Sequence, residues 1–112
     1  MPDYKFKISE GKHPIVTVVF SEKKFNILNT FLLSEARNFG KEIQNGLLKV
    51  LSGKIDSYSF SGNIFSFEAD CEKTVISNDI SEDDPPLKVK TSELLMLINS
   101  YKSELDNLKN KQ

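Results

Sequence analysis

Tryptophan is absent from these 112 residues, and cysteine, histidine and arginine occur once each, as Cys71, His13 and Arg37. A single cysteine excludes an internal disulfide, and such usage predicts a reducing, cytoplasmic setting. One histidine and one cysteine cannot complete the nitrogen and sulfur ligand set of a zinc site. Cys71 lies between Asp70 and Glu72, whose charges disfavour a thiolate, so an inert thiol is predicted. His13 stands beside Pro14 in a predicted hairpin loop, with no partner in view for general base catalysis. The five glycines lack the spacing of a phosphate-cradling loop, and no cofactor is expected. Apolar runs are short: the stretch 15–20 is broken by Thr17, far below the roughly 20 residues that span a bilayer. The start, Met1-Pro2-Asp3-Tyr4-Lys5, lacks the basic and apolar stretches of a secretory signal. Together these absences predict a protein that is not an enzyme and does not enter a membrane.

What is present is aromatic and charged. Hydrophobic residues at 38% and charged residues at 28% suit a folded domain rather than a disordered chain. The length predicts one domain, 1–108, with a tail, 109–112, that has nothing to bury and frays. Eight phenylalanines place much of the buried area in aromatic rings.

The clearest local signal is at 57–68. With Gly62-Asn63 as a two-residue turn at positive φ, Phe60 falls opposite Phe65, Tyr58 opposite Phe67 and Ser59 opposite Ser66. That hairpin has one aromatic and one polar face. Tyr4, Phe6 and Ile8 alternate with Lys5, Lys7 and Ser9, the period of a half-buried strand. After a turn at Glu10-Gly11-Lys12, residues 13–20 complete an antiparallel hairpin. Ser21 is placed to cap a helix whose apolar stripe is Phe25, Leu28, Leu32, Ala36 and Phe39. The stripe resumes with Ile43, Leu47, Val50 and Leu51, stopping at Ser52-Gly53. The interruption at Gly40 favours two helices over one bent one. A turn at 70–73 leads to a strand at 74–78, with Ile76 on the face of Phe67. Leu87 and Val89 between Lys88 and Lys90 form a short edge strand. Thr91 is placed to cap a last helix with the stripe Leu94, Leu97, Ile98, Tyr101, Leu105 and Leu108. The fold class is therefore α+β, in the order ββ-αα-βββ(β)-α, with helices on one face of an antiparallel sheet of five to six strands.

Charge is distributed unevenly. Residues 1–54 carry nine bases against five acids, and 55–112 carry six against eleven, within a net charge of −1. Glu68, Asp70, Glu72, Asp79, Glu82, Asp83 and Asp84 fall within 68–84, accompanied by one base, Lys73. Such a run is either a solvated face or a docking surface for a basic partner. It is no calcium loop, since Ile80 and Ser81 interrupt the carboxylates and no glycine is present. Nucleic acid is not expected as a partner, because the acidic strip repels phosphate and the aromatics fall on predicted core faces. Tyr58 and Tyr101, whose hydroxyls suit a half-wet position, are candidates for an exposed aromatic contact.

The size, the α+β layout, the acidic strip and the runs Ser52-Gly53-Lys54, Tyr58-Ser59-Phe60-Ser61-Gly62-Asn63 and Thr91-Ser92-Glu93-Leu94-Leu95 give a resemblance. The chain resembles the small cytoplasmic immunity proteins of bacterial toxin–immunity systems, notably those of contact-dependent growth inhibition. That resemblance implies a protein that binds a cognate toxin domain, often a nuclease, and blocks its active site or substrate entry. It assigns no role to any single residue. On the charge pattern, Glu68, Asp70, Glu72, Asp79, Glu82, Asp83 and Asp84 are the expected partner-binding residues. The alternative is a general interaction module or regulatory subunit, homodimeric through the last helix or an open sheet edge. Metal ligands and catalytic residues are not assigned.

Overall fold

The computed structural model describes Met1, residues 3–81 and residues 83–110. Strand β1 (Tyr4–Ile8) pairs antiparallel with β2 (Val16–Phe20), Tyr4 opposite Phe20 and Ile8 opposite Val16. Gly11, at the tip of the connection, has φ of 126°, a conformation that glycine adopts without Cβ strain. Beyond β2 the chain does not enter a helix at Ser21. Its N–H instead donates to the Asp3 carbonyl at 3.0 Å, extending the strand pairing by one bond. A 3-10 turn, Lys23–Phe25, buries Phe25 before the helix proper begins.

Helix α1 (Ile27–Phe31) passes through a π-helical turn, Leu32–Ala36, into α2 (Arg37–Leu51). The bend falls on Phe39, at φ −124° and ψ 22°, one residue before Gly40. Gly40 itself ends nothing. The end of α2 follows the sequence: Gly53, with φ of 80°, lets its own N–H reach the Val50 carbonyl and that of Lys54 reach Lys49 at 2.9 Å. This paired reversal satisfies carbonyls that the helix would leave open.

Strands β3 (Tyr58–Ser61), β4 (Phe65–Ala69), β5 (Lys73–Asn78) and β6 (Leu87–Lys90) form a four-stranded antiparallel sheet in that order. The fold class is thus α+β with antiparallel pairing, the six strands of the described residues being divided between a two-stranded and a four-stranded sheet. One reason for the division lies beside β2, where the N–H of Val18 donates to Asn29 Oδ1 of α1 at 3.0 Å. A side chain from a helix occupies a bond that a neighbouring strand would otherwise make.

The register of the aromatic hairpin differs from the expected one by two residues. Phe60 lies opposite Phe67, Tyr58 opposite Ala69 and Ser59 opposite Glu68. A shift of two preserves the facing of every side chain, so the aromatic face survives. The Phe60 and Phe67 rings stack with centroids 5.4 Å apart, and Tyr58 meets Phe67 edge-on at 5.6 Å. Neither Gly62 nor Asn63 has positive φ. The loop is instead held from outside, by Glu35 in the π turn. Its carboxylate is fully buried and accepts the N–H groups of Asn63 and Ile64 at 2.9 Å and of Phe65 at 2.6 Å. Gly62 is required for closeness: a Cβ there would lie within 2.6 Å of the carboxylate.

Ile76 pairs with Phe67 and shares its face, as the turn at 70–73 predicts. Helix α3 (Thr91–Asn110) buries Leu94, Leu97, Ile98 and Tyr101, and continues through Lys109 and Asn110. Thr91 does not cap the helix with its hydroxyl, which donates to the Asp70 carbonyl at 2.7 Å and lies 2.8 Å from the Thr74 hydroxyl. The core therefore lies between the inner face of the four-stranded sheet and the helices, with β2 packed against α1 and α3. Among the described residues, no helix is long and apolar enough to cross a membrane.

Candidate functional site

At the end of β5, Asn78 organises the acidic loop. Its Oδ1 accepts the N–H groups of Ile80 at 2.9 Å and Ser81 at 3.1 Å, a local turn that asparagine side chains favour. Its Nδ2 donates to Asp84 Oδ2 at 3.1 Å, tying the two ends of the loop together. The N–H of Asp79 donates to the Ile64 carbonyl at 2.8 Å, and the Ser66 hydroxyl donates to Asp79 Oδ1 at 2.7 Å. Pro85 and Pro86 then fix an extended entry into β6. The result is a loop pinned at its base. From it Ile80 projects with 71% of its surface exposed, beside the exposed Asp79, Asp83 and Asp84.

Sequence reasoning treats Ile80 only as an interruption among carboxylates. The signal that marks it is a large apolar residue in a polar loop, belonging to no helical stripe and no strand alternation.

The other carboxylates do not join this group. Asp70 and Glu72 occupy the turn between β4 and β5, and Asp79 follows the far end of β5. Six residues of strand separate the two ends by about 20 Å. Glu68 is exposed on the outer face of the sheet, between Ser59 and Val75. Nearby, Lys73 and Lys90 lie directly opposite one another, so the charge at that end is mixed. Asp70 is engaged within its own turn: its Oδ1 accepts the N–H groups of Lys73 and Glu72, each at 2.8 Å. Those bonds, Lys73's foremost, hold its carboxyl below the usual aspartate value. Glu82 lies outside the described residues. Of the six described acids, Asp79, Asp83 and Asp84 share this loop.

Reactive groups are sparse. Cys71 is exposed in the β4–β5 turn. His13 lines a cleft that contains one carboxylate, Asp106. Among the described residues, no three His, Cys, Asp or Glu side chains gather closely enough to hold a metal ion. Tyr58 is half-buried as its chemistry suggests, its hydroxyl 3.5 Å from the Glu42 carbonyl. Burial first, and the Glu42 charge second, raise its pKa above the ordinary phenol value. Tyr101 is not half-wet. It is 1% exposed and belongs to the core.

The outer face of the four-stranded sheet presents two rows of side chains. Ser61, Ser66 and Ser77 lie side by side in one, and Ser59, Glu68, Val75 and Lys88 in the next. The serines are small and polar, and with Val75, Glu68 and Lys88 they line a shallow surface. No known family, characterised protein or solved structure matches the chain.

Proposed function

We propose that this chain is a cytoplasmic bacterial immunity protein that binds a basic toxin domain through the loop 78–84. The observation that carries the reading is Ile80, highly exposed on a pinned loop and flanked by Asp79, Asp83 and Asp84. An apolar anchor within a charged surround is how interfaces concentrate binding energy. Clustered carboxylates steer a basic partner toward that anchor and raise the association rate. Nuclease surfaces that grip phosphate are basic, so such a loop suits the class of toxin that the sequence resemblance implies. The loop is also fixed in advance by Asn78, which lowers the ordering cost of binding.

Homodimerisation through α3 has less support. Leu94, Leu97, Ile98 and Tyr101 are buried within the fold, and Leu105 and Leu108 pack against the same core.

The test begins with capture of the partner by the tagged chain co-expressed with its flanking genes. Affinity is then measured at two salt concentrations for the wild type, Ile80→Ser and the combined Asp79→Lys, Asp83→Lys, Asp84→Lys variant. Ile80→Ser is expected to weaken binding by at least about tenfold, a cost of about 1.4 kcal/mol, mainly through dissociation. The charge variant should slow association and flatten its salt dependence. Unchanged affinity in both variants would remove the loop from the interface.

A further inference from the structure

A cleft of about 380 Å³ opens where the loop before β2, the start of α2 and the C-terminal half of α3 meet. That volume lies within the range of small-molecule sites. Lys12 and His13 reach it from the loop, and Arg37, the chain's one arginine, from α2. Lys102, Asp106 and Lys109 reach it from α3. One arginine and three lysines against one carboxylate concentrate positive charge on a chain whose net charge is −1. Walls of low dielectric then focus that field into the opening.

The cleft also has a directional element. Tyr101 lines it, is 1% exposed, and has a buried hydroxyl with no hydrogen-bond partner among the described residues. Buried hydroxyls are normally paired, so an orphaned one calls for an explanation. Burial raises the Tyr101 pKa, and the nearby charge of Arg37 pulls against that rise. Lys102 is seated by packing as well: a Cβ on Gly40 of α2 would meet its Cδ at 3.1 Å. A glycine at that point lets the lysine stem lie close across α2, the helix that carries Arg37.

We propose that this cleft binds the anionic group, phosphate or carboxylate, of a small molecule. Arg37 and Lys102 pair its charge, and the Tyr101 hydroxyl donates to one of its oxygens. Arginine suits the role because its planar fork matches either oxyanion with two parallel bonds. The site shares no residue with the acidic loop, so it stands or falls independently of the immunity reading.

NMR titration of the full chain with pyrophosphate, with citrate, and with chloride at matched ionic strength tests the assignment. Saturable shifts in residues 12–16 and in α3 around Tyr101 are expected with pyrophosphate or citrate below about 1 mM, and none with chloride. Saturation by pyrophosphate alone identifies a phosphate site, and by citrate alone a carboxylate site. Arg37→Gln, at an exposed position, and Tyr101→Phe, which keeps the ring, should each weaken binding by about tenfold or more while thermal melting shows both folded. Failure of both ligands to saturate, equal shifts with chloride, or wild-type affinity in either variant overturns the site.

Discussion

Glu35 decides the shape of the β3–β4 hairpin from a helix that precedes it in the chain. A buried carboxylate is costly unless it is bonded, and here three backbone N–H groups meet it. Removing it leaves those donors without partners, so Glu35→Ala should cost about 3 kcal/mol or more in urea unfolding. Gly62→Ala drives a methyl into the same carboxylate and should cost about 1–3 kcal/mol. The two effects share one cause. In the Glu35→Ala background, Gly62→Ala should therefore cost almost nothing, and additivity in the double-mutant cycle would refute the contact. Asp70 allows a second prediction at this scale. Its folded pKa is held below the ordinary 3.8 by the Lys73 and Glu72 N–H groups. The stabilisation it supplies is thus present above the unfolded value and lost as pH falls through the folded one. The stability difference between wild type and Asp70→Asn should shrink below about pH 4, as acid-dependent unfolding would record.

Elements meet through small residues as much as through large ones. Gly46 of α2 lies under the Tyr58 ring of β3, and a Cβ there would overlap the ring carbons. In isolation, alanine at a helix interior is favoured over glycine by about 1 kcal/mol. The overlap outweighs that gain, so Gly46→Ala should destabilise the protein by about 1–2 kcal/mol net. With Tyr58→Ser in place the overlap is gone, and the same Gly46→Ala change should stabilise by up to about 1 kcal/mol. Thermal melting of the four proteins checks the reversal of sign. The π turn Leu32–Ala36, between α1 and α2, buries Leu32, Glu35 and Ala36, which share one face at three- and four-residue spacing. Glu35 stands three residues after Leu32 and four after Phe31, on the apolar stripe itself, and it escapes a reading of the sequence that follows apolar side chains alone. Thr91, at the junction of β6 and α3, likewise spends its hydroxyl on Thr74 and Asp70 rather than on its own helix.

For the molecule as a whole, folding and surface chemistry are carried by different residues. Asp83 and Asp84 are exposed, and among the described residues the one bond either makes within the loop is from Asn78 to Asp84. Asp83→Lys with Asp84→Lys should leave unfolding free energy within about 0.5 kcal/mol of wild type, in contrast to the core changes above. If this double variant binds the partner less well, it does so as a folded protein. In three dimensions positive charge gathers from both halves of the chain, and negative charge from one loop. The cleft beside α3 gathers Lys12, Arg37, Lys102 and Lys109, while the loop after β5 gathers Asp79, Asp83 and Asp84.

The sequence by itself determined whatever depends on neighbours a few residues apart. The two strand alternations, the helical stripes, the reversal at Gly53 and the facing of the aromatics all follow from local period and turn chemistry. Tertiary structure decided what depends on distant partners. Glu35 reaches N–H groups 28 to 30 residues away, and that reach sets the hairpin register without any positive φ at Gly62 or Asn63. Asn29 occupies a bond beside β2, so the strands divide between two sheets rather than joining in one. The acidic strip, continuous in sequence, is split because a strand of six residues must run straight for about 20 Å between its ends. Local periodicity specifies which face a side chain takes, but only the packed fold specifies which groups meet there.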